Sequence, residues 1–235
     1  MDQQETLTPK GKRTRERILD TAVRLFAAGG YDRTTMRDIA AGAGCALGLT
    51  YRYFPSKEAI VLALYARLAD KLNAQVRELP PAPLAERFDR AIEVNLALLA
   101  PYRESMTALF GPALNLESGI AVLGTATGDV RRQVRAVFAH VVAEATDAPP
   151  EPLAGQLATL LYGLHLAAIF FWLQDRTSGL QATGELRALI RDMLALARPL
   201  LELPPAGDAL ARLLRVVGPI LGPADSTLPH ERNSQ

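Results

Sequence analysis

Side chains that can bind phosphate or contact bases lie close together near the amino terminus. Tyr51, Arg52 and Tyr53 are consecutive, and Lys57 follows four residues later. Hydroxyl and cationic groups bind phosphate oxygens, and a guanidinium can donate two hydrogen bonds to one guanine edge. These residue types indicate nucleic-acid binding, provided that a helix presents them on a surface that fits a groove.

Three predicted helices would position these side chains. Apolar residues from Ile18 to Phe26 recur with helical spacing, and the pattern stops at two glycines. Thr35 precedes the acidic Asp38 by three residues, which resembles a capping box that starts a short second helix. Gly44 suits the positive φ of a tight turn before a third helix, which begins near Leu47 and runs to Tyr53 or Phe54. Two short helices joined in this way and braced by a longer one describe a helix-turn-helix, whose second helix enters the DNA major groove.

The rest of the chain carries helical patterns, and we therefore predict an all-α fold. No stretch alternates apolar and polar residues over a useful strand length. Gly111-Pro112 is expected to end one helix, and the segment 175–184 is expected to be a turn region. The further predicted helices run from about 57 to 76, 84 to 100, 102 to 110, 131 to 145, 153 to 173, 185 to 201 and 209 to 221.

Charge is distributed unevenly along the chain, although the net charge is only +1. Residues 1–60 hold ten Lys and Arg against seven Asp and Glu, and a basic run supplies most of the excess. A basic front end on a nearly neutral body is typical of modular DNA-binding proteins. The run fits either an arm that contacts phosphates or the minor groove, or a solvated helix face. It consists of Lys10, Lys12, Arg13, Arg15 and Arg17.

The single cysteine, Cys45, excludes an intrachain disulfide framework and fits a reducing compartment. We interpret Cys45 as a small apolar residue of the turn rather than as a redox sensor. The polar and charged start of the sequence has no apolar signal core. We therefore expect a cytoplasmic protein.

Two segments together resemble the DNA-binding part of TetR-family transcriptional regulators. The first is TTMRDIAAGAGCALGLTYRYFPSKEAIVLAL, from Thr34 to Leu64, and the second is the upstream TRERILDTAVRLFAAGGYDRTT. They cover about fifty residues, and beyond residue 70 the resemblance is architectural only. It implies an N-terminal arm and helix-turn-helix domain over 1–57, a helical effector-binding and dimerisation domain over 58–222, and a flexible tail over 223–235.

The resemblance also implies roles for individual residues. Helix two is expected at about Thr35–Ala43 and the recognition helix at Leu47–Tyr53. The residues expected at phosphates are Thr35, Tyr51, Tyr53 and Lys57. The residues expected at base edges or a thymine methyl group are Leu47, Gly48, Leu49 and Arg52, with Arg52 the best candidate for a bidentate guanine contact.

Four positions depart from the family pattern: Ala46, Leu47, Leu49 and Thr50. Ala46 and Leu47 cannot form the polar contacts that Ser, Thr or a basic residue would provide there. Thr50 can be buried if its hydroxyl bonds back to the backbone. The recognition helix therefore depends on apolar contacts, the backbone and Arg52, and the operator sequence does not follow from it.

The resemblance implies a ligand-responsive regulator, a repressor that binds a pseudo-palindromic double-stranded DNA operator as a homodimer. A small, mainly apolar effector would release it. The alternative is a helical small-molecule-binding or scaffold protein that does not act through DNA. We expect no enzyme activity, catalytic residue or cofactor, because no Gly-rich phosphate loop or Ser/Cys–His–acid grouping occurs. We expect no metal site either, since His140 and His165 lack partners at ligand spacing.

The apolar segment 157–173 is short for a membrane span and contains His165 near its middle. We therefore expect no membrane contact but a core helix that is buried on both faces, on one side against its own domain and on the other against a second subunit. Gly155, Ala158, Gly163 and Ala167 would permit close helix approach. The resemblance implies that helices near 152–174 and 184–202 form a four-helix dimer interface.

Aromatic and polar-tipped side chains concentrate in the C-terminal region, where ordinary core packing explains most of them. Some are expected to line a pocket for a lipophilic or aromatic effector, with Asn95 and Asn115 available to orient it. The candidate ligand-binding residues are Asn95, Tyr102, Met106, Phe110, Phe138, Tyr162, His165 and Phe170.

Overall fold

The computed structural model describes residues 8–221, and every extended regular element within that range is a helix. The all-α prediction is confirmed, while the predicted tail at 223–235 and residues 1–7 of the predicted arm lie outside the described range. Three short 3-10 turns occur at Ala100–Tyr102, Ser178–Leu180 and Arg198–Glu202. The α-helices are α1 (Pro9–Gly29), α2 (Met36–Gly42), α3 (Leu47–Tyr53), α4 (Lys57–Arg77), α5 (Leu84–Leu99), α6 (Arg103–Leu114), α7 (Gly128–Ala143), α8 (Leu153–Gln174), α9 (Gln181–Ala197) and α10 (Pro204–Leu221).

Helices α1 to α3 form a compact unit, here called the three-helix head. Ile18, Phe26 and Ile39 are completely buried between α1 and α2. The Phe26 ring meets the Tyr31 ring edge-on, with the ring centroids 5.2 Å apart. A methyl group on Gly42 would lie only 2.9 Å from the Thr21 Cγ2 atom, so glycine permits the close contact of α2 with α1.

Helix α4 joins the head to the rest of the molecule. Its N-cap is Ser56, whose hydroxyl accepts a hydrogen bond from the Ala59 N–H. Ile60 and Leu64 near its start are buried in the same core as the head residues, and Leu72 is buried further along. The helix therefore reaches from the head into the larger helical region without a break.

The helical body, here meaning α4 to α10, is held together by packing of α4 on α7, α5 on α9 and α7 on α8. The buried Arg87 connects three parts of it by donating to the carbonyls of Leu79, Pro80 and Val141. These bonds fix the proline-rich segment that precedes α5 against α7. Since a buried cation needs such partners, Arg87 acts as a structural clamp.

Several predicted helix boundaries are wrong, including the start of α7 at Gly128 instead of 131 and the end of α9 at Ala197 instead of 201. Helix α6 continues through Pro112 to Leu114, because a proline in the final turn removes only its own N–H from the bonding pattern. Helix α9 begins at Gln181, ahead of the predicted 185, and α10 begins at Pro204, ahead of 209. Proline is well tolerated in a first helical turn, where the N–H has no intrahelical partner.

A buried carboxylate explains the early start of α9. Asp175 accepts hydrogen bonds from the backbone N–H and hydroxyl groups of both Thr177 and Thr183, at 2.6 to 2.8 Å. The bonds from Thr177, and then those from Thr183, hold the pKa of Asp175 far below its ordinary value. A tight turn followed by an ordered first turn of α9 replaces the longer turn region predicted for 175–184.

Among the described residues, α8 alone is long and apolar enough to cross a membrane by length and composition. It packs against α7, α9 and α10 and carries the buried His165 and Trp172. A methyl group on Gly163 would meet the Leu221 side chain at 3.2 Å, so at this point the close helix approach is made by α10 of the same chain.

Candidate functional site

The start of α2 is fixed by a complete capping box. The Thr35 hydroxyl accepts the Asp38 N–H at 3.2 Å, and an Asp38 carboxylate oxygen accepts the Thr35 N–H at 2.9 Å. The Thr35 hydroxyl also donates to that carboxylate at 2.7 Å, and these bonds lower the pKa of Asp38. The predicted capping box is confirmed, and it fixes the exposed amino end of α2.

The turn between α2 and α3 is tight and lies beside a basic residue of α1. Gly44 has φ +59°, a conformation in which a Cβ atom would be strained, as its position in the sequence predicted. The Cys45 N–H donates to the Ala40 carbonyl, and the Arg17 guanidinium donates to the Cys45 sulfur at 3.3 Å. Arg17 is therefore held next to the turn, at the surface of the head.

Helix α3 presents one contiguous exposed face. At about 100° per residue, its four exposed residues fall within about 160° of the helix circumference, which makes a single face. Thr50 points the opposite way and is fully buried, and its hydroxyl donates to the Ala46 carbonyl at 3.3 Å. The predicted condition for burying Thr50 is therefore met. The exposed face consists of Gly48, Leu49, Tyr51 and Arg52.

The other predicted contact residues are placed differently. Thr35 is exposed at the start of α2, while Leu47 and Tyr53 are half-buried and pack against the core. The Lys57 ammonium donates to the carbonyls of Tyr31 and Asp32, and it lies 4.4 Å from the centre of the Tyr31 ring. Lys57 thus joins α4 to the corner after α1, and its contact with phosphate stays a prediction.

The basic run near the amino terminus is helical from Pro9 onward. The Arg15 guanidinium stacks 4.7 Å from the Phe54 ring centre, where burial lowers its pKa. Lys12, Arg13 and Arg17 are exposed on the same helix. Within the described residues the run is therefore part of a helix, and its exposed Arg17 lies beside the turn.

A cavity of about 530 Å³ occupies the middle of the helical body. Its walls come from α4, α5, α6, α7 and α8, and the segment 115–127 between α6 and α7 closes part of it. This volume falls within the roughly 300–1,000 Å³ of pockets that enclose drug-sized ligands. The lining is predominantly aliphatic and aromatic, which suits an apolar molecule.

Six of the eight predicted ligand-binding residues line this cavity: Asn95, Met106, Phe110, Tyr162, His165 and Phe170. Tyr102 does not, because its hydroxyl accepts a hydrogen bond from Arg67 outside the cavity, at 3.2 Å. Phe138 is also absent from the lining. It is completely buried behind His165, with ring centroids 4.8 Å apart. The exposed Asn115 accepts the Glu117 N–H and does not line the cavity either.

An uncharged polar pair lies in the wall between α5 and α8. The Asn95 amide nitrogen is 2.6 Å from the His165 Nε2 atom, and both side chains are buried. With the amide donating, His165 is a neutral imidazole that carries its proton on Nδ1. That N–H is beside the Tyr162 carbonyl but makes no hydrogen bond of normal geometry. Burial lowers the pKa of His165 to about 3, so the ring stays neutral at physiological pH.

Two tyrosines and one arginine complete the polar lining, apart from Thr127, whose hydroxyl bonds to backbone carbonyls. Burial raises the pKa values of Tyr65 and Tyr162 to about 12, so both phenols are protonated. Arg131 on α7 lines the cavity beside the segment 115–127 and donates to the Gly124 carbonyl of that segment. The sequence interpretation missed Arg131, although it lies three and seven residues before Val134 and Phe138, on one face of α7.

Helix α6 contacts both the cavity and the head. Met106 and Phe110 face the cavity, while the buried Ser105 hydroxyl donates to the Val23 carbonyl of α1 at 2.8 Å. Nearby, Arg67 of α4 pairs with Asp20 of α1 and donates to the Tyr102 hydroxyl. Gly119 provides another contact, since a methyl group there would lie 3.1 Å from Glu58 at the start of α4.

Comparison with known proteins matches residues 18–64 to the family model described as bacterial regulatory proteins, tetR family. The matched segment contains α2, α3 and most of α1, together with the start of α4. It therefore coincides with the part of the chain in which the capped turn and the exposed face of α3 occur.

Individual relatives extend the similarity beyond this segment. The chain is 27% identical over 186 residues to the HTH-type transcriptional repressor KstR of Rhodococcus jostii, covering 78% of this chain and 84% of that protein. It is 39% identical over 83 residues to the repressor KstR2 of the same organism, covering 35% of this chain and 40% of that protein. A crystal structure of a TetR-family regulator from Syntrophomonas wolfei superposes with a TM-score of 0.62 at 20% identity, covering 79% of this chain and 96% of that chain.

Proposed function

We propose that the chain, whose residues 18–64 match the tetR family model, is a ligand-responsive repressor of that family that binds operator DNA as a dimer. The observation that carries the proposal is the exposed face of α3, held by a capped α2 and the Gly44 turn. A helix presented in this way fits the major groove, where its first turns meet base edges. A binding or scaffold protein without a DNA target would have no need for this arrangement.

In the proposed complex, Arg52 is the main reader of sequence. It is exposed on α3, and a guanidinium can donate two hydrogen bonds to guanine O6 and N7. Leu49 and the bare backbone at Gly48 supply apolar and close backbone contacts, since nothing lies within 4 Å of a Cβ atom built at Gly48. Tyr51 and Arg17 provide contacts to phosphate beside the groove.

A dimer would present two heads to the two halves of a pseudo-palindromic operator. The outer faces of α9 and α10 support this proposal, because each carries an exposed apolar row at helical spacing. On α9 the row is Leu189, Met193 and Leu196, which are 58%, 56% and 65% exposed. On α10 the corresponding residues are Leu213, Val216 and Ile220. We place the interface on α8 and α9, with the adjoining face of α10 extending it.

The cavity would bind the effector, and α6 would connect it to the head. An effector that binds the released state more tightly than the DNA-binding state shifts the equilibrium between them, for example through the arrangement of α6. The size of the shift is set by the difference between its affinities for the two states. A movement of α6 would reach α1 and α4 through three contacts. These are the Ser105 bond to Val23, the Arg67 bonds to Asp20 and Tyr102, and the contact of Gly119 with Glu58. A regulator of this kind works where the chromosome is, in the cytoplasm, and needs no catalytic residue or cofactor.

Selection from a pool of random DNA duplexes at low salt tests DNA binding without assuming an operator sequence. We expect enrichment of a sequence with two related half-sites. Arg52→Ala should weaken binding to it by about 1–3 kcal/mol, or roughly 5- to 150-fold, in a gel-shift titration. Arg212→Ala, which removes an exposed arginine of α10, is the matched control and should bind normally. Recovery of no enriched sequence would contradict the proposal.

The dimer has its own test. Leu196→Glu introduces a charge into the exposed row of α9 and should yield monomers in sedimentation analysis, with loss of operator binding. Thr107→Glu, which introduces the same charge at an exposed position of α6, should stay dimeric. A dimeric Leu196→Glu variant would place the interface elsewhere.

A further inference from the structure

The cavity lining carries an unbalanced charge. Arg131 is its one ionised side chain, and no Asp or Glu is present among the described residues that line it. The other polar groups cannot supply the missing negative charge, because His165 is neutral and the phenols of Tyr65 and Tyr162 are protonated. A charge beside a low-dielectric cavity interacts strongly with a ligand of opposite sign. The cavity therefore favours a molecule with one negative charge.

Arg131 also has hydrogen-bond donors that the described part of the chain does not use. Its Nη1 atom donates to the carbonyls of Gly124 at 2.7 Å and Val122 at 3.5 Å, which fixes the segment next to α7. In the described part of the chain, its Nε and Nη2 atoms make no hydrogen bond and Arg131 makes no ion pair. Arg187 and Arg198, by contrast, are paired with carboxylates. The Nε–Nη2 edge of a guanidinium matches the two oxygens of a carboxylate.

The remainder of the cavity would enclose an apolar body. Val134 follows Arg131 by one helical turn, and Ile169 and Phe110 face the same space from α8 and α6. We propose that the effector is an amphipathic monocarboxylic acid, with its carboxylate on Arg131 and its apolar body in the cavity. This inference rests on the proposed function, since it takes the cavity as the effector site. It adds the charge, the anchoring residue and the chemical class.

Displacement of the neutral, apolar dye Nile red from the full-length protein tests the inference at pH 8. The probes are tetradecanoic acid and the tricyclic abietic acid, each compared with its methyl ester. We expect at least one acid to bind about tenfold or more tightly than its ester, because only the acid presents an anion to Arg131. Arg131→Gln should remove that preference, while binding of the esters stays within about twofold.

Arg132→Gln is the matched control, since Arg132 is the next residue of α7 and is exposed beside Asp129. It should retain the preference for the acid. Arg131→Gln also loses its bonds to the neighbouring carbonyls, so Arg131→Lys provides a second test. The lysine keeps the positive charge and should keep a preference for acid over ester, although a weaker one than the guanidinium gives.

Three outcomes would overturn the inference: equal affinity for acid and ester in the unaltered protein, a preference for acid that survives in Arg131→Gln, or no displacement by either acid. Operator binding is measured separately on ligand-free protein. Failure to bind any DNA would refute the proposed function but leave the anion site standing. Normal DNA binding without acid selectivity would refute only the inference.

Discussion

The three-helix head is filled, whereas the helical body is hollow. In the head, Ile18, Phe26 and Ile39 are completely buried between α1 and α2. In the body, five helices enclose about 530 Å³. Close-packed elements move as rigid units, while elements around a cavity can be rearranged by whatever fills it. The molecule thus places its rigid part where DNA geometry must be matched and its adaptable part where a ligand enters.

The largest expected effect comes from removing an aromatic ring from the filled region. Phe26→Ala should lower the free energy of unfolding by about 3–5 kcal/mol. Phe110→Ala should cost less, because one side of that ring already borders the cavity and has fewer atoms to lose contact with. Urea denaturation at equal protein concentration measures both. Equal losses would show that the two regions do not differ in packing.

Two glycines of the head provide the next comparison. Gly42→Ala should lower the free energy of unfolding by up to about 3 kcal/mol, because its methyl group would approach the Thr21 methyl group to 2.9 Å. Gly48→Ala has open space around it and should stabilise α3 by about 0.5–1 kcal/mol. Thermal unfolding measures both effects.

Gly48→Ala also tests how closely α3 approaches DNA. The stabilised variant should nonetheless bind the selected operator more weakly than the unaltered protein in a gel-shift titration. Undiminished binding would mean that the backbone at Gly48 does not approach the groove.

The buried histidine of the body predicts a pH dependence that the head lacks. Because burial lowers the pKa of His165 from 6.5 to about 3, the unfolded chain takes up a proton below pH 6.5 that the folded chain does not. Folding therefore weakens as pH falls, by about 2 kcal/mol between pH 7 and pH 5. The His165→Gln variant has no titrating group at this position. Its free energy of unfolding, measured by urea denaturation, should therefore fall by about 2 kcal/mol less between pH 7 and pH 5 than that of the unaltered protein. Identical losses would contradict the neutral, buried state of the ring.

The last prediction concerns the capping box. Thr35→Ala removes the hydroxyl that accepts the Asp38 N–H and should lower the free energy of unfolding by about 1 kcal/mol. Thr107→Ala is the control, since that exposed hydroxyl bonds only to the Arg103 carbonyl within α6 and its loss should change little. Hydrogen exchange of the α2 amides should rise in Thr35→Ala alone. Unchanged exchange would show that the cap does not determine the stability of α2.

The structure of the head could be predicted from the sequence more fully than that of the helical body. The bounds of α3 and the capping of α2 follow from neighbouring residues, because caps and glycine turns act over three or four positions. The start of α9 could not be predicted from capping patterns, since it depends on Asp175 accepting hydrogen bonds from Thr177 and Thr183. The length of α10 was also underestimated, because its apolar face gains stability by packing on α8.

Residue chemistry predicted most of the cavity lining but not its arrangement. Tyr102 and Phe138 have the same character as the lining residues, yet one binds Arg67 and the other packs behind His165. Arg131 appeared in the sequence as one basic residue in a charged helix start. Its significance depends on the absence of a carboxylate among the described lining residues, which come from five helices and the segment 115–127. Spacing along the chain does not reveal that arrangement.

The sequence by itself determined the all-α fold and the helix-turn-helix, since helical period, caps and turn glycines are local properties. Only the tertiary structure decided that Lys57 bonds to carbonyls of the head, that α10 lies against Gly163, and that Arg131 faces an otherwise uncharged cavity. These features arise where segments distant in sequence meet. The chemistry of a residue there is set by its neighbours in space, which the order of residues does not specify.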